Sequence, residues 1–151
     1  GNDNEGVLIG PKANLQDTNL GDLDLSSLSN NDLKYIKSGN TSGNPTLPED
    51  WTKSNGMLFG PKADLTGIDL TGKDLKNTNL QHADLRGSTL TATITDSDFS
   101  GADLTGAVIS PSNIDAFNTN TFSTETICPD GTLSDGSGCN QWKSRPMLAM
   151  Q

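Results

Sequence analysis

His82 is the only histidine in this chain of 151 residues, and so the only side chain whose ordinary pKa suits proton transfer near neutral pH. It stands two residues after Leu80, a position that faces solvent in the pattern described below, so an exposed polar residue is the plainer reading. Cys128 and Cys139 offer a nucleophile, a pair of metal ligands or a disulfide. Their spacing does not suit a zinc site, and only one histidine is there to complete one. Asp64, Asp84 and Asp103 recur at nearly even steps. Stacked in a column, they would either hold a cation such as Ca²⁺ or each cap backbone N–H groups at a corner of the chain. Capping is preferred, because the same place is taken by asparagine at Asn14, Asn19 and Asn79. The loop Asp130–Gly138 (DGTLSDGSG) is a second Ca²⁺ candidate, without the alternating acidic spacing of an EF-hand. No glycine-rich phosphate loop follows a strand. These residues assign no catalytic group, no metal site and no cofactor, and the chain is not expected to be an enzyme.

What must position them is a period of five. Leu65, Leu70, Leu75, Leu80, Leu85 and Leu90 fall on one phase, and Ile94, Phe99, Leu104, Ile109 and Ile114 continue it after the loss of one residue. Neither a helix nor a simple strand brings every fifth residue to one side. A chain that turns a corner at each repeat does so, with four repeats closing one square coil and coils stacking at about 4.8 Å. The central Leu, Ile or Phe then points into the column. The residue two before it also points inward and should be small, as Ala63, Ala83, Ser88, Ala92, Ser97, Ala102, Ala107 and Ser112 are. Leu23, Leu28, Ile68 and Lys73 break this rule. A buried, unpaired Lys73 would be very costly, so a widened corner or a side chain that reaches out past the wall is expected there. The run Thr89, Thr91, Thr93, Thr95 spans the lost residue and suits a flatter local strand.

The units Ala63-Asp64-Leu65-Thr66-Gly67, Ala83-Asp84-Leu85-Arg86-Gly87 and Ala102-Asp103-Leu104-Thr105-Gly106 resemble the A-(D/N)-L-x-x unit of pentapeptide repeat proteins. The resemblance covers most of residues 13–35 and 63–127. It implies an all-β fold, a right-handed quadrilateral β-helix, and fixes no function. The segment Cys128-Pro129-Asp130-Gly131-Thr132, followed by Cys139, is similar to the element that closes many arrays of this family. On that resemblance Cys128 and Cys139 pair in a disulfide and Asp130-Gly131 forms a tight turn. The bond would contribute about 2–3 kcal/mol and staple a cap over the open end of the column.

A longer period lies over the first. Gly6-Val7-Leu8-Ile9-Gly10-Pro11-Lys12-Ala13-Asn14-Leu15 returns fifty residues on as Gly56-Met57-Leu58-Phe59-Gly60-Pro61-Lys62-Ala63-Asp64-Leu65. This reads as a duplicated cassette inside one solenoid domain, residues 1–151. The first, short cassette spans 6–36 with Leu15, Leu20 and Leu25 in phase. A polar loop excursion takes 37–50. The second cassette takes 51–127, with Trp51 to Phe59 re-entering as a strand, and the cap and tail take 128–151. Trp51 has no counterpart fifty residues earlier, so the first cassette looks cut short.

Hydrophobic residues make up only 31% and aromatics 5% of the chain, too little for a wide core but enough for a narrow column. The mean hydropathy is −0.51 and the sequence pI about 4.3. With a formal net charge of −9, binding to nucleic acid is not expected. No apolar run approaches a membrane span. The chain begins Gly1-Asn2-Asp3 without Met, which fits either a removed leader or a chain cut from something longer.

The function expected is a non-catalytic structural or scaffolding module outside the cytoplasm: secreted, periplasmic, on the cell surface or in a thylakoid lumen. Its expected partner is protein, foremost itself. Subunits joined through their solenoid ends, with Trp51 and Trp142 at the subunit contact, would build filaments. The alternative is an acidic DNA mimic, since some pentapeptide repeat proteins protect DNA gyrase with a rod of DNA-like shape and charge. The short, interrupted array, the disulfide and the lack of a long apolar C-terminal helix weigh against it.

Overall fold

A computed structural model describes residues 8–110 and 114–139. Regular elements are few and short. Strands β1 (Thr52–Ser54) and β2 (Met57–Phe59) form an antiparallel hairpin. Strands β3 (Asp74–Lys76) and β4 (Thr93–Thr95) pair in parallel, and α1 (Ile114–Phe117) is a single helical turn.

Most of the order lies in single parallel bridges, one residue per side of each layer. One ladder runs Asn14, Lys37, Asp64, Asp84, Asp103, Ile127. A second joins Asn19 to Ser42 and Asp69 to Thr89 and Val108. A third joins Asp24 to Thr46 and, through β3 and β4, Asp74 to Thr93. A fourth joins Asn79, Asp98 and Thr121. Each bridge uses both backbone groups: Leu65 N–H donates to the Asp84 carbonyl at 2.8 Å and Asp84 N–H to the Ala63 carbonyl at 3.0 Å. The chain then turns at once, because the second residue after the inward one adopts positive φ. Gly67, Gly87 and Gly106 take that place without strain, and Lys62, Asn77, His82 and Asp96 take it at φ of 54–61°.

Leu15, Leu20, Leu25, Leu65, Leu70, Leu75, Leu80, Leu85, Leu90, Ile94, Phe99, Leu104, Ile109 and Ile114 are all buried. Ile114 is buried as the first residue of α1 and not as another ladder position. The helical turn lengthens the last layers, so Asp98 meets Thr121 and Asp103 meets Ile127. The lost residue is absorbed on the third side. Asp69 still pairs twenty residues on, with Thr89, while Asp74 pairs with Thr93, where the chain runs extended as β3 and β4. Lys73 lies exposed at the start of that stretch, so no ammonium is buried.

The sequence pattern puts 37–50 outside the ladders. The pairing corrects this for its first ten residues: Lys37, Ser42 and Thr46 lie in register with Asn14, Asn19 and Asp24. Polar residues serve there because their hydroxyls satisfy the backbone. Thr41 Oγ1 donates to the Leu15 carbonyl at 2.7 Å, and Ser38 Oγ accepts from Leu58 N–H at 2.8 Å. What leaves the ladders is the β1–β2 hairpin, between Lys37 and its next partner Asp64.

At the far end the chain folds back. Ile127 bridges Leu133 antiparallel, Gly131 N–H donates to the Cys128 carbonyl at 2.8 Å, and Cys128 and Cys139 form a disulfide. Cys139 N–H donates to Asn118 Oδ1 at 3.0 Å, tying the loop to the layer beneath.

One inward small residue is imperfect. Ser88 Oγ is fully buried with no hydrogen-bond partner among the described residues, between Ile68 and Ala107 at the matching places of the two neighbouring layers. Ser88→Ala removes a desolvated hydroxyl and no useful bond. It is expected to stabilise the fold by about 1 kcal/mol, read as a higher urea midpoint at constant slope.

Candidate functional site

Among the described residues the ladders bring a column of carboxylates together. Asp64, Asp84 and Asp103 are bridged partners on adjacent layers, about 4.8 Å apart as parallel strands are. Each carboxylate is already engaged with its own corner. Asp64 Oδ1 accepts from Thr66 N–H at 3.1 Å and Thr66 Oγ1 at 2.7 Å. Asp103 Oδ1 does the same with Thr105, at 3.0 and 2.6 Å. Asp84 takes the Arg86 guanidinium with both oxygens, at 2.8 and 2.7 Å. Asn14, Asn19 and Asn79 cap the N–H two residues on in the same way. The corner reading therefore holds atom by atom, for Asp and Asn alike.

Charge in the column is offset by Arg86, whose role the sequence reading missed. The Arg86 side chain holds the Asp84 carboxyl below its usual range and outweighs the effect of burial. The same guanidinium feels Asp103 and Asp64 on the layers above and below. With Arg86 59% exposed, the pair adds little to stability, and its use is to let three carboxylates stack. A basic residue between A-D-L and Gly, in the middle of an acidic column, was the available signal.

Other carboxyls are held low by the same corners. The Ser26 hydroxyl and N–H lower Asp24, the Ser29 N–H and hydroxyl lower Asp32, and the Thr71 hydroxyl and N–H lower Asp69. Burial pushes Asp98 up, but hydrogen bonds from Ser100 and Gln81 more than offset it. A carboxyl depressed in the fold binds fewer protons there than in the unfolded chain. Its stabilisation is present above the unfolded pKa and is lost as pH falls through the folded one. Thermal unfolding followed by circular dichroism should therefore give a level midpoint from pH 7 to about 5 and a steep fall below about pH 4. A midpoint that rises on acidification would contradict this capping.

His82 occupies a corner with φ 58°, exposed, its ring lying against Gly101. That is a backbone slot at a corner of the chain. Trp51, expected at a subunit contact, is 5% exposed inside the chain. Its Nε1–H donates to Asn30 Oδ1 at 3.0 Å and its ring covers Gly60. Trp142 lies outside the described residues. Among the described residues no cluster of three or more His, Cys, Asp or Glu is arranged to hold a metal, the Asp130–Gly138 loop included. Asp130 Oδ1 instead accepts from Thr132 N–H and Oγ1 at 3.1 and 2.6 Å. Among the same residues no helix is long and apolar enough to cross a membrane.

Compared with known families, the chain matches a family model described as pentapeptide repeats (8 copies) over residues 62–91. That is the stretch where successive layers stay closest to twenty residues. No curated protein matches the chain.

Proposed function

Starting from a chain that belongs to the pentapeptide repeat proteins, we propose that it is a non-catalytic scaffold acting outside the cytoplasm, a right-handed quadrilateral β-helix used as a rigid rod. The observation that carries this reading is the commitment of its polar side chains. The carboxylates of the column cap corners, His82 fills a turn, and both cysteines are spent on the end of the stack. The disulfide adds the compartment, since such bonds persist in oxidising surroundings. A scaffold needs a stiff body with a fixed spacing, and parallel ladders over a continuous Leu column supply one.

The test is the redox state of the protein in its native cells. Alkylation of free thiols at lysis, followed by mass spectrometry, is expected to leave Cys128 and Cys139 unmodified until a reductant is added. Both thiols alkylated at once would defeat the extracytoplasmic reading. The DNA-mimic alternative draws support from the acidic balance and the stacked carboxylates, and is weakened by Arg86 sitting among them. A gyrase supercoiling assay decides it: inhibition or protection at micromolar protein would favour the mimic over the scaffold.

A further inference from the structure

We propose that copies of this chain stack head to tail, the exposed first layer of one copy receiving the stapled end of a second. This deepens the scaffold reading and rests on it for the rod-like body alone. The duplication supplies the internal comparison. In the second cassette Leu58 is 2% exposed, and Gly60 and Pro61 are buried. Fifty residues earlier the matching segment lies open: Leu8 is 85% exposed and Pro11 is exposed. Two things cover the second cassette. Leu58 N–H is held by Ser38 Oγ of the preceding layer, and the Trp51 ring lies so close to Gly60 that a Cβ there would come within 2.1 Å of it. At Gly10 a Cβ would meet nothing within 4 Å. The place of that ring is an open depression of ≈ 650 Å³ lined by Leu8, Gly10, Pro11, Ala13 and Leu15, among others.

The backbone edge of the first layer is open as well. Leu15, Leu20 and Leu25 N–H donate inward to Lys37, Ser42 and Thr46. The N–H and C=O of Asn14, Asn19 and Asp24, which point the other way in a parallel ladder, have no backbone partner among the described residues. At the opposite end Leu133, on the outer arm of the terminal hairpin, is 62% exposed. Leu8 and Leu133 are the two most exposed large hydrophobics among the described residues, and they stand at opposite ends of the stack. The two surfaces differ, so the contact is heterologous and repeats without closing.

The aromatic seat at Gly10 fits Trp142, which follows the stapled end by three residues. Trp142-Lys143-Ser144 is close to Trp51-Thr52-Lys53-Ser54, the segment that fills the matching seat at Gly60. Three residues past Cys139 reach at most about 10 Å, while the first layer lies at least four steps of about 4.8 Å away, so Trp142 cannot serve its own first layer. Charge agrees: residues 140–151 carry Lys143 and Arg145 and no acidic side chain, whereas Asp17, Asp22 and Asp24 are exposed on the first layer.

Sedimentation velocity on the oxidised full chain, from micromolar to millimolar, tests this. Wild type should form a concentration-dependent series of species. Leu8→Asp and Leu133→Asp alter exposed positions, so each should keep the wild-type circular dichroism and each alone should be monomeric. Mixed in equal amounts they should form a dimer and stop, because each retains the end that the other lacks. Trp142→Ala should weaken association about tenfold or more. A wild type monomeric throughout, a variant that still builds a series, a mixture that gives no dimer, or unchanged association of Trp142→Ala would each overturn the proposal. Cys128 and Cys139 in their oxidised form in such a monomer would leave the scaffold reading standing, so the two can fail separately.

Discussion

Gly60→Ala is expected to lower stability by about 3 kcal/mol or more, and Gly10→Ala to change it by less than about 1 kcal/mol, in the stabilising direction if at all. The two glycines occupy the same place in a duplicated segment, and neither requires positive φ. Replacing either by Ala therefore restricts the unfolded chain by the same amount, and only the folded contacts differ. At Gly60 the new Cβ would sit 2.1, 2.3 and 2.4 Å from three atoms of the Trp51 ring. The ring cannot tilt away cheaply, because its Nε1–H is bonded to Asn30 Oδ1 and its own N–H to the Pro48 carbonyl at 3.0 Å. Moving it breaks a partly buried bond and opens the hairpin to water. At Gly10 there is space on every side. Urea denaturation of both variants, dilute enough to keep the chain monomeric, reads the difference directly. Equal midpoints would mean that the indole does not sit on Gly60.

The inward column was legible because a five-residue period leaves one answer for the large aliphatic residue. The corner role of the aspartates was legible too, since Asn could replace them only if a side-chain oxygen, and not a charge, was required. The disulfide was legible through resemblance, in a segment whose spacing alone left other uses open. Four features were not. Residues 37–46 join the ladders with hydroxyls at inward places, so a search for Leu passes over them. Ile114 keeps the phase while the backbone changes to a helical turn, and phase carries no record of that change. Trp51 sits in the core because it meets a glycine nine residues away, and a single such contact makes no pattern. Arg86 needed the layers to be stacked first, since its neighbours Asp64 and Asp103 belong to other turns of the chain.

Phe99→Ala is expected to cost about 3–5 kcal/mol and to loosen the stapled end before anything else. Phe99 is fully buried in the column. Its ring lies 5.0 Å from that of Phe117, which ends α1, and 5.7 Å from that of Phe122, while Phe117 and Phe122 stand 5.6 Å apart. The three rings fill the core where the helical turn widens the last layers. Removal of the central ring leaves a void that Phe117 and Phe122 cannot both fill, and loses ring contacts of about 0.5–1.5 kcal/mol each beyond buried area. In a stack where each layer touches only its neighbours, the damage stays local. Thr121 N–H to the Ser97 carbonyl and Ile127 N–H to the Ala102 carbonyl, both 2.9 Å, hold the last layers to the body. Hydrogen exchange at Thr121 and Ile127 should speed up by at least about tenfold, while Ser42, bonded to the Thr18 carbonyl at the other end, keeps its protection. Phe99→Leu retains most of the volume and should recover more than half of the loss. Equal acceleration at Thr121 and Ser42 would mean that the chain unfolds as one unit, and that the aromatic cluster does not hold its end of the stack separately.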